Sequence, residues 1–137
     1  MHALRRIHAA LVPGGLLVDT QPVSARPPVC GGGRRLGTLD MREWLRTIDA
    51  VDAFVAKTIA EGLYAIEDEE CFVVTDDYDN GLELVETVSD WRGTRISHAL
   101  AKSVAAAASP LTVHQDVRLR VLRAQDGSSQ QPALARA

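Results

Sequence analysis

The segment from Ala3 to Thr20 constrains this chain more than any other. Residues 3–12, ALRRIHAALV, space Leu4, Ile7 and Leu11 at helical intervals, with Arg5, Arg6 and His8 on the other side, the pattern of a short amphipathic helix. Pro13-Gly14-Gly15 ends it, because Pro cannot continue the ladder and Gly accepts the left-handed exit conformation. Leu16-Leu17-Val18-Asp19-Thr20 follows at once. An apolar strand directly after a helix stop reads as a buried strand, typical of parallel sheets covered on both faces.

Further along, QPVSARPPVCGGG (21–33) holds three prolines and three glycines, so it reads as loop or irregular hairpin, with a short strand returning over 34–39. Asp40 is placed to cap the longest helix, about Met41 to Glu61, whose apolar stripe is Met41, Trp44, Leu45, Ile48, Val51, Val55 and Ile59. Gly62 is its stop. Tyr64 to Glu70 and Cys71 to Thr75 suggest two extended segments, and Asp76 to Gly81 is turn chemistry. Leu84, Val85 and Val88 keep helical spacing, and an alanine-rich helix over 93–108 ends at Ser109-Pro110. Val113 to Leu122 alternates, with Val117, Leu119 and Val121 on one side and Arg118, Arg120 and Leu122 on the other. This predicts a strand with one wetter face. The tail AQDGSSQQPALARA (124–137) is polar and expected to be disordered.

Composition narrows the function classes. With 137 residues, one domain is the natural prior, and 46% hydrophobic with 24% charged residues is ordinary globular composition. Only 4% are aromatic, so aliphatic side chains must fill the core. The net charge of −3 argues against a nucleic-acid binder, which carries a clustered basic face. No apolar run approaches the ~20 residues needed to span a bilayer, and the N-terminal apolar stretch is broken by Arg, His and Pro, unlike a signal peptide. Cys30 and Cys71 make neither a disulfide framework nor a zinc site. A cytoplasmic setting without membrane or nucleic-acid partners is therefore expected.

Individual motifs yield little unaided chemistry. Gly31-Gly32-Gly33 before Arg34-Arg35 could cradle a phosphate, but it lacks P-loop spacing, and a flexible hairpin turn is the favoured reading. Counted as a calcium loop from Asp76, the third position is Tyr78 and the twelfth Thr87, so a solvated turn wins. Glu67 to Glu70 reads as a solvated charge run. His2, His8, His98 and His114 lack metal-ligand spacing, and neither Cys has a local His partner. Trp44 and Trp91 read as core anchors. Asp19 ends the first strand, where ligands gather in parallel sheets, although in isolation a turn-capping Asp before Pro22 is the favoured reading.

The stretch ALRRIHAALVPGGLLVDT resembles a piece of the class I S-adenosylmethionine-dependent methyltransferases. Leu4, Ile7, Leu11, Pro13-Gly14-Gly15 and Leu16 to Asp19 match the helix that precedes the fifth strand of that family's sheet. Arg35 to Asp40 with the Trp44 helix resembles an insertion in some bacterial members, and Val113 to Leu122 the closing strand. The resemblance implies a methyltransferase-like domain over 1–123. Its fold would be α/β (α+β if the sheet is rearranged), a truncated three-layer arrangement of a small mixed sheet and about four helices.

The family's glycine-rich cofactor loop and ribose-binding acidic residue precede the matching helix by many tens of residues, and no residue here corresponds to them. The resemblance therefore implies half an enzyme: no cofactor site alone, and S-adenosylmethionine only if a partner half completes it. Asp19, Thr20, Gln21 and Trp44 are its substrate-pocket candidates; no catalytic or metal-binding residue is implied. In the family the fifth strand lies between the fourth and seventh, so Leu16 to Asp19 would present an apolar edge. Such an edge pairs or aggregates. A homodimer through Leu16 to Asp19, acting as an interaction or small-ligand-binding module without its own catalysis, is the expectation. The alternative is the substrate-side part of a methyltransferase, completed by another chain or by upstream sequence.

Overall fold

The computed structural model describes residues 2–107 and 110–126. In chain order the elements are α1 (His2–Ala10), β1 (Leu16–Pro22), β2 (Pro28–Gly31), β3 (Arg34–Thr38), α2 (Arg42–Ala60), β4 (Tyr64–Tyr78), α3 (Gly81–Ser89), α4 (His98–Ala106) and β5 (Leu111–Ala124). The strands form one antiparallel sheet in the order β1-β5-β2-β3, with β4 also paired to β5. Four helices on such a sheet give the α/β content expected, in its α+β form, and the pairing is antiparallel where a small mixed sheet was anticipated. The burial of β1 explains the difference. Leu16, Val18 and Thr20 are exposed while Leu17 and Asp19 are half-buried, so β1 is covered on one face only. Antiparallel sheets tolerate that wet face; parallel ones rarely do.

The chain divides into two compact units. The first comprises Met1–Thr20, Ala50–Glu70 and Leu119–Ala137. Its core is Val55, Tyr64, Leu122 and Ala124, with Leu4, Leu11 and Leu17 packed against it. Tyr64 donates its phenolic hydrogen to the Leu4 carbonyl (2.7 Å), and its burial raises the phenol's pKa. The His8 ring stands edge-on to Tyr64 at 5.3 Å, with Nε2 2.8 Å from the Gln125 carbonyl oxygen. The half-buried positions of α1 are thus Leu4 and His8, with Leu11 just past its end; Ile7 is exposed. A ring with a carbonyl partner and an aromatic neighbour displaces an aliphatic residue one position away.

Gly62, with φ +78°, ends α2 as predicted, and Leu63 N–H returns to the Thr58 carbonyl (3.0 Å), a glycine helix stop. Gln125 N–H bonds the Leu63 carbonyl (2.8 Å), so ordered backbone continues past the start of the tail expected to be disordered. Residues 127–137 lie outside the described residues.

The second unit comprises Gln21–Asp49 and Cys71–Arg118, around Val29, Leu39, Leu84, Val104, Leu111 and Val113. Helix α3 starts where the Asn80 side chain accepts the Glu83 N–H (2.9 Å) and Glu83 in turn accepts the Asp79 N–H (2.9 Å). This variant of the capping box satisfies donors that a helix start leaves open. Ser97 caps α4 by accepting the Leu100 N–H (3.1 Å). The helix expected from residue 93 therefore begins at His98, because Arg95 is committed to a two-way backbone bridge with Asp40 (2.8 Å each). The two extended segments expected over 64–75 are one 15-residue strand, β4; its charged middle, Glu67 to Glu70, is exposed rather than looped out.

Gly81 marks the closest approach of α3 to α4, since a Cβ there would lie 2.2 Å from the Val104 carbonyl oxygen. Gly81→Ala should therefore lower the free energy of unfolding by about 1–3 kcal/mol. Leu82→Ala, at a neighbouring side chain that is 68% exposed, should change it by less than about 0.5 kcal/mol. Urea titrations of both variants check this, and equal losses would contradict it.

Candidate functional site

The second unit holds an apolar hollow of about 380 Å³, lined by Pro22, Met41, Trp44, Trp91, Thr94 and Gln115 among others. It forms because the start of α2 is held firmly. The Asp40 carboxylate accepts the Arg42 backbone N–H (3.1 Å) and two bonds from its guanidinium (3.0 and 2.8 Å). One turn on, Trp44 Nε1–H donates to the Pro22 carbonyl (3.2 Å) and Trp44 N–H to the Gly93 carbonyl (3.2 Å). Gly93 has φ +65°, and a Cβ there would stand 2.6 Å from the Trp44 nitrogen. Only glycine gives both that conformation and that approach. Trp91 follows the end of α3, its N–H bonded to the Val88 carbonyl (3.0 Å).

Two half-buried indoles and a methionine suit a flat apolar molecule, and a few convergent polar groups orient such ligands. Arg92 and Thr94 line the hollow as well, and Gln115 completes the polar lining. Gln115 is buried, and its Nε2 donates to Asp76 Oδ2 (3.1 Å).

The four pocket candidates fare differently. Trp44 lines this hollow. Gln21 is half-buried in the same unit but does not line it. Asp19 and Thr20 belong to the first unit. Thr20 is exposed, and Asp19 Oδ2 lies 3.9 Å from Arg120 Nη2. Arg120, expected on a wetter face, is only 7% exposed and also pairs with Asp52 through Nη2. Asp19 therefore serves a charge cluster. Trp91 packs against the second unit's core, as a core anchor should, and lines the hollow as well; Gln115 has no place in the sequence reading. A signal for Gln115 existed: it interrupts the apolar parity of Leu111, Val113 and Val117, and a polar residue on a buried face needs a partner.

Compared with protein-family models, curated proteins and solved structures, the chain matches none.

Two outcomes follow from these charges. Arg120→Ala leaves the Asp19 and Asp52 carboxylates without their buried cation and should cost about 3 kcal/mol, the lower end for a broken buried pair, because Asp52 keeps 30% of its side chain exposed. Chemical denaturation measures it, and a loss below about 1 kcal/mol, the ceiling for surface pairs, would show that the cluster behaves as a surface pair. The second concerns Asp40, whose carboxyl is held well below the carboxylate range by the Arg42 side chain and then by the Arg42 backbone N–H. Stabilisation from a lowered pKa is complete above the ordinary value, 3.8, and is lost as pH falls through the folded-state value. The stability gap between the native chain and Asp40→Asn should therefore narrow between about pH 4 and about pH 2. A gap independent of pH would contradict the assignment.

Proposed function

We propose that this chain is a methyltransferase-like fragment acting as an interaction module, which self-associates through the edge of β1 and has no cofactor site of its own. The observation that carries this reading is the place of β1 in the sheet. It stands at the end of the strand order with β5 beside it; among the described residues no strand covers its other side. By the resemblance, β1 corresponds to the family's fifth strand and β5 to the seventh, so the neighbour it lacks is the fourth. Leu16 and Val18 are 48% and 57% exposed. An apolar strand edge with unpaired N–H and C=O groups is a template for another strand. A second copy related by a two-fold axis satisfies both edges at once and closes the assembly.

The glycine-rich segment is placed differently from the family's cofactor loop. Gly31–Gly33 lies at the β2–β3 hairpin turn, whereas the family's loop follows its first strand. In this reading S-adenosylmethionine is held only when a partner half completes the site. The second reading, a substrate-side half completed by another chain, draws on the Trp44–Trp91 hollow, which has the apolar lining of a small-molecule receptor. In that case the partner half supplies the cofactor, and this chain positions the acceptor.

Light scattering and calorimetric titration with S-adenosylmethionine test the proposal on the purified chain. The expected result is a dimer that gives no saturable heat. Val18→Lys, which places a charge on the edge, should yield a monomer with an unfolding transition that no longer depends on protein concentration. A native chain that is monomeric overturns the edge pairing. Saturable micromolar binding overturns the cofactor-free reading.

A further inference from the structure

We propose that the outer face of the β2–β3 hairpin is a binding site for a doubly charged oxyanion of the phosphate class, carried on a small molecule. This rests on strand register and charge, independently of the assembly proposed above.

Strand β2 pairs with β3 through Cys30↔Arg35 and Gly31↔Arg34, and with β5 through Cys30↔Thr112 and Gly31↔Leu111. Directly opposed residues project from the same face of a sheet, and so do residues two apart on one strand. Arg35, Cys30, Thr112 and His114 therefore share one face across three adjacent strands. Gly31 occupies the other face, where a Cβ would lie 2.6 Å from Leu111 Cδ2. The sharing residues line a hollow of about 380 Å³ that the glycine turn borders, room for a phosphate and the group that bears it; Arg34, opposed to Gly31 and so projecting from the other face, borders it only at the hairpin tip.

The turn leaves the hollow open on that side. Gly32 and Gly33 have φ +59° and +73°, the left-handed pair that a two-residue hairpin turn demands, and no atom lies within 4 Å of a Cβ built on Gly33. His114 is held as a fixed wall, with Nδ1 3.0 Å from Thr75 Oγ1 and Nε2 3.2 Å from Thr112 Oγ1.

Charge supplies the attraction. Arg5, Arg42, Arg95, Arg120 and Arg123 each meet a carboxylate. Among the described residues neither Arg34 nor Arg35 does, and no carboxylate lines the hollow. The Arg35 guanidinium on the face of the hollow, without a counter-charge and with Arg34 at the tip adding a second positive charge, is suited to bidentate recognition of phosphate.

Cys30 makes the site self-reporting. Its thiol lines the hollow and is half-buried, while Cys71 is exposed on β4 and outside it. The test is alkylation of the full chain with iodoacetamide in rising inorganic phosphate or pyrophosphate, with ionic strength held constant by chloride. Peptide mapping reads both cysteines in one sample. At an anion concentration ten times its Kd, Cys30 should react about tenfold more slowly, by mass action, with Cys71 unchanged. The double variant Arg34→Ala/Arg35→Ala alters two exposed side chains, and it should retain its unfolding midpoint and lose the protection. Equal slowing of both cysteines, no slowing, or protection that survives in the double variant each overturn the site. If Cys30 resists alkylation in the free chain, the linewidth of the phosphorus NMR signal decides: broadening must saturate with the native chain and vanish with the double variant.

Discussion

Strand β5 is the element on which the others depend, because β1, β2 and β4 all hydrogen-bond to it. A strand can satisfy neighbours on two edges only, so three partners require length, and β5 has 14 residues. Its side chains must also serve two cores. In the second unit the buried positions are odd-numbered, Leu111, Val113, Gln115 and Val117; in the first they are even-numbered, Arg120, Leu122 and Ala124. Strand side chains alternate with a period of two, and the buried parity changes at Arg118–Leu119, where the boundary between the units falls.

That change of parity accounts for the most consequential misreading of the sequence. Alternation over 113–122 correctly grouped Arg120 with Leu122, but two arginines on that side made it the wetter one. In the first unit it is the covered one. A buried guanidinium is costly to desolvate, and it is tolerated where carboxylates repay the cost. Asp19 and Asp52 are those carboxylates, and they are remote from Arg120 in sequence. Nothing local to Arg120 announces them. Periodicity shows which residues share a face; which face is covered depends on elements that arrive later.

The same division runs through the rest of the chain. Helix α1, its Pro-Gly-Gly stop and β1 were legible because each is encoded within a few residues, and so was the Gly62 stop. The start of α4 was not, since it depends on Arg95 bridging to Asp40, a contact across 55 positions. Of the apolar hollow, Trp44 was found by resemblance, while Trp91 and Gln115 are joined to it only by folding. Likewise no spacing suggested a cysteine near a histidine, yet strand pairing brings Cys30 and His114 to one hollow.

The distribution of charge gives the hairpin hollow its meaning. A chain with net charge −3 repels anions at long range, so general electrostatic attraction cannot gather them. Any anion that binds must be held locally, by cations near enough to outweigh the overall field within a Debye length of about 8–10 Å. Within the second unit Asp40 and Glu43 each meet another arginine, and no carboxylate lines the hollow. Arg34 and Arg35 follow two glycines at the tip of a hairpin, and among the described residues neither forms an ion pair with a carboxylate. The turn that the glycine triplet makes and the anion it could help to hold, alternatives when the sequence is read alone, are compatible once the strands are paired.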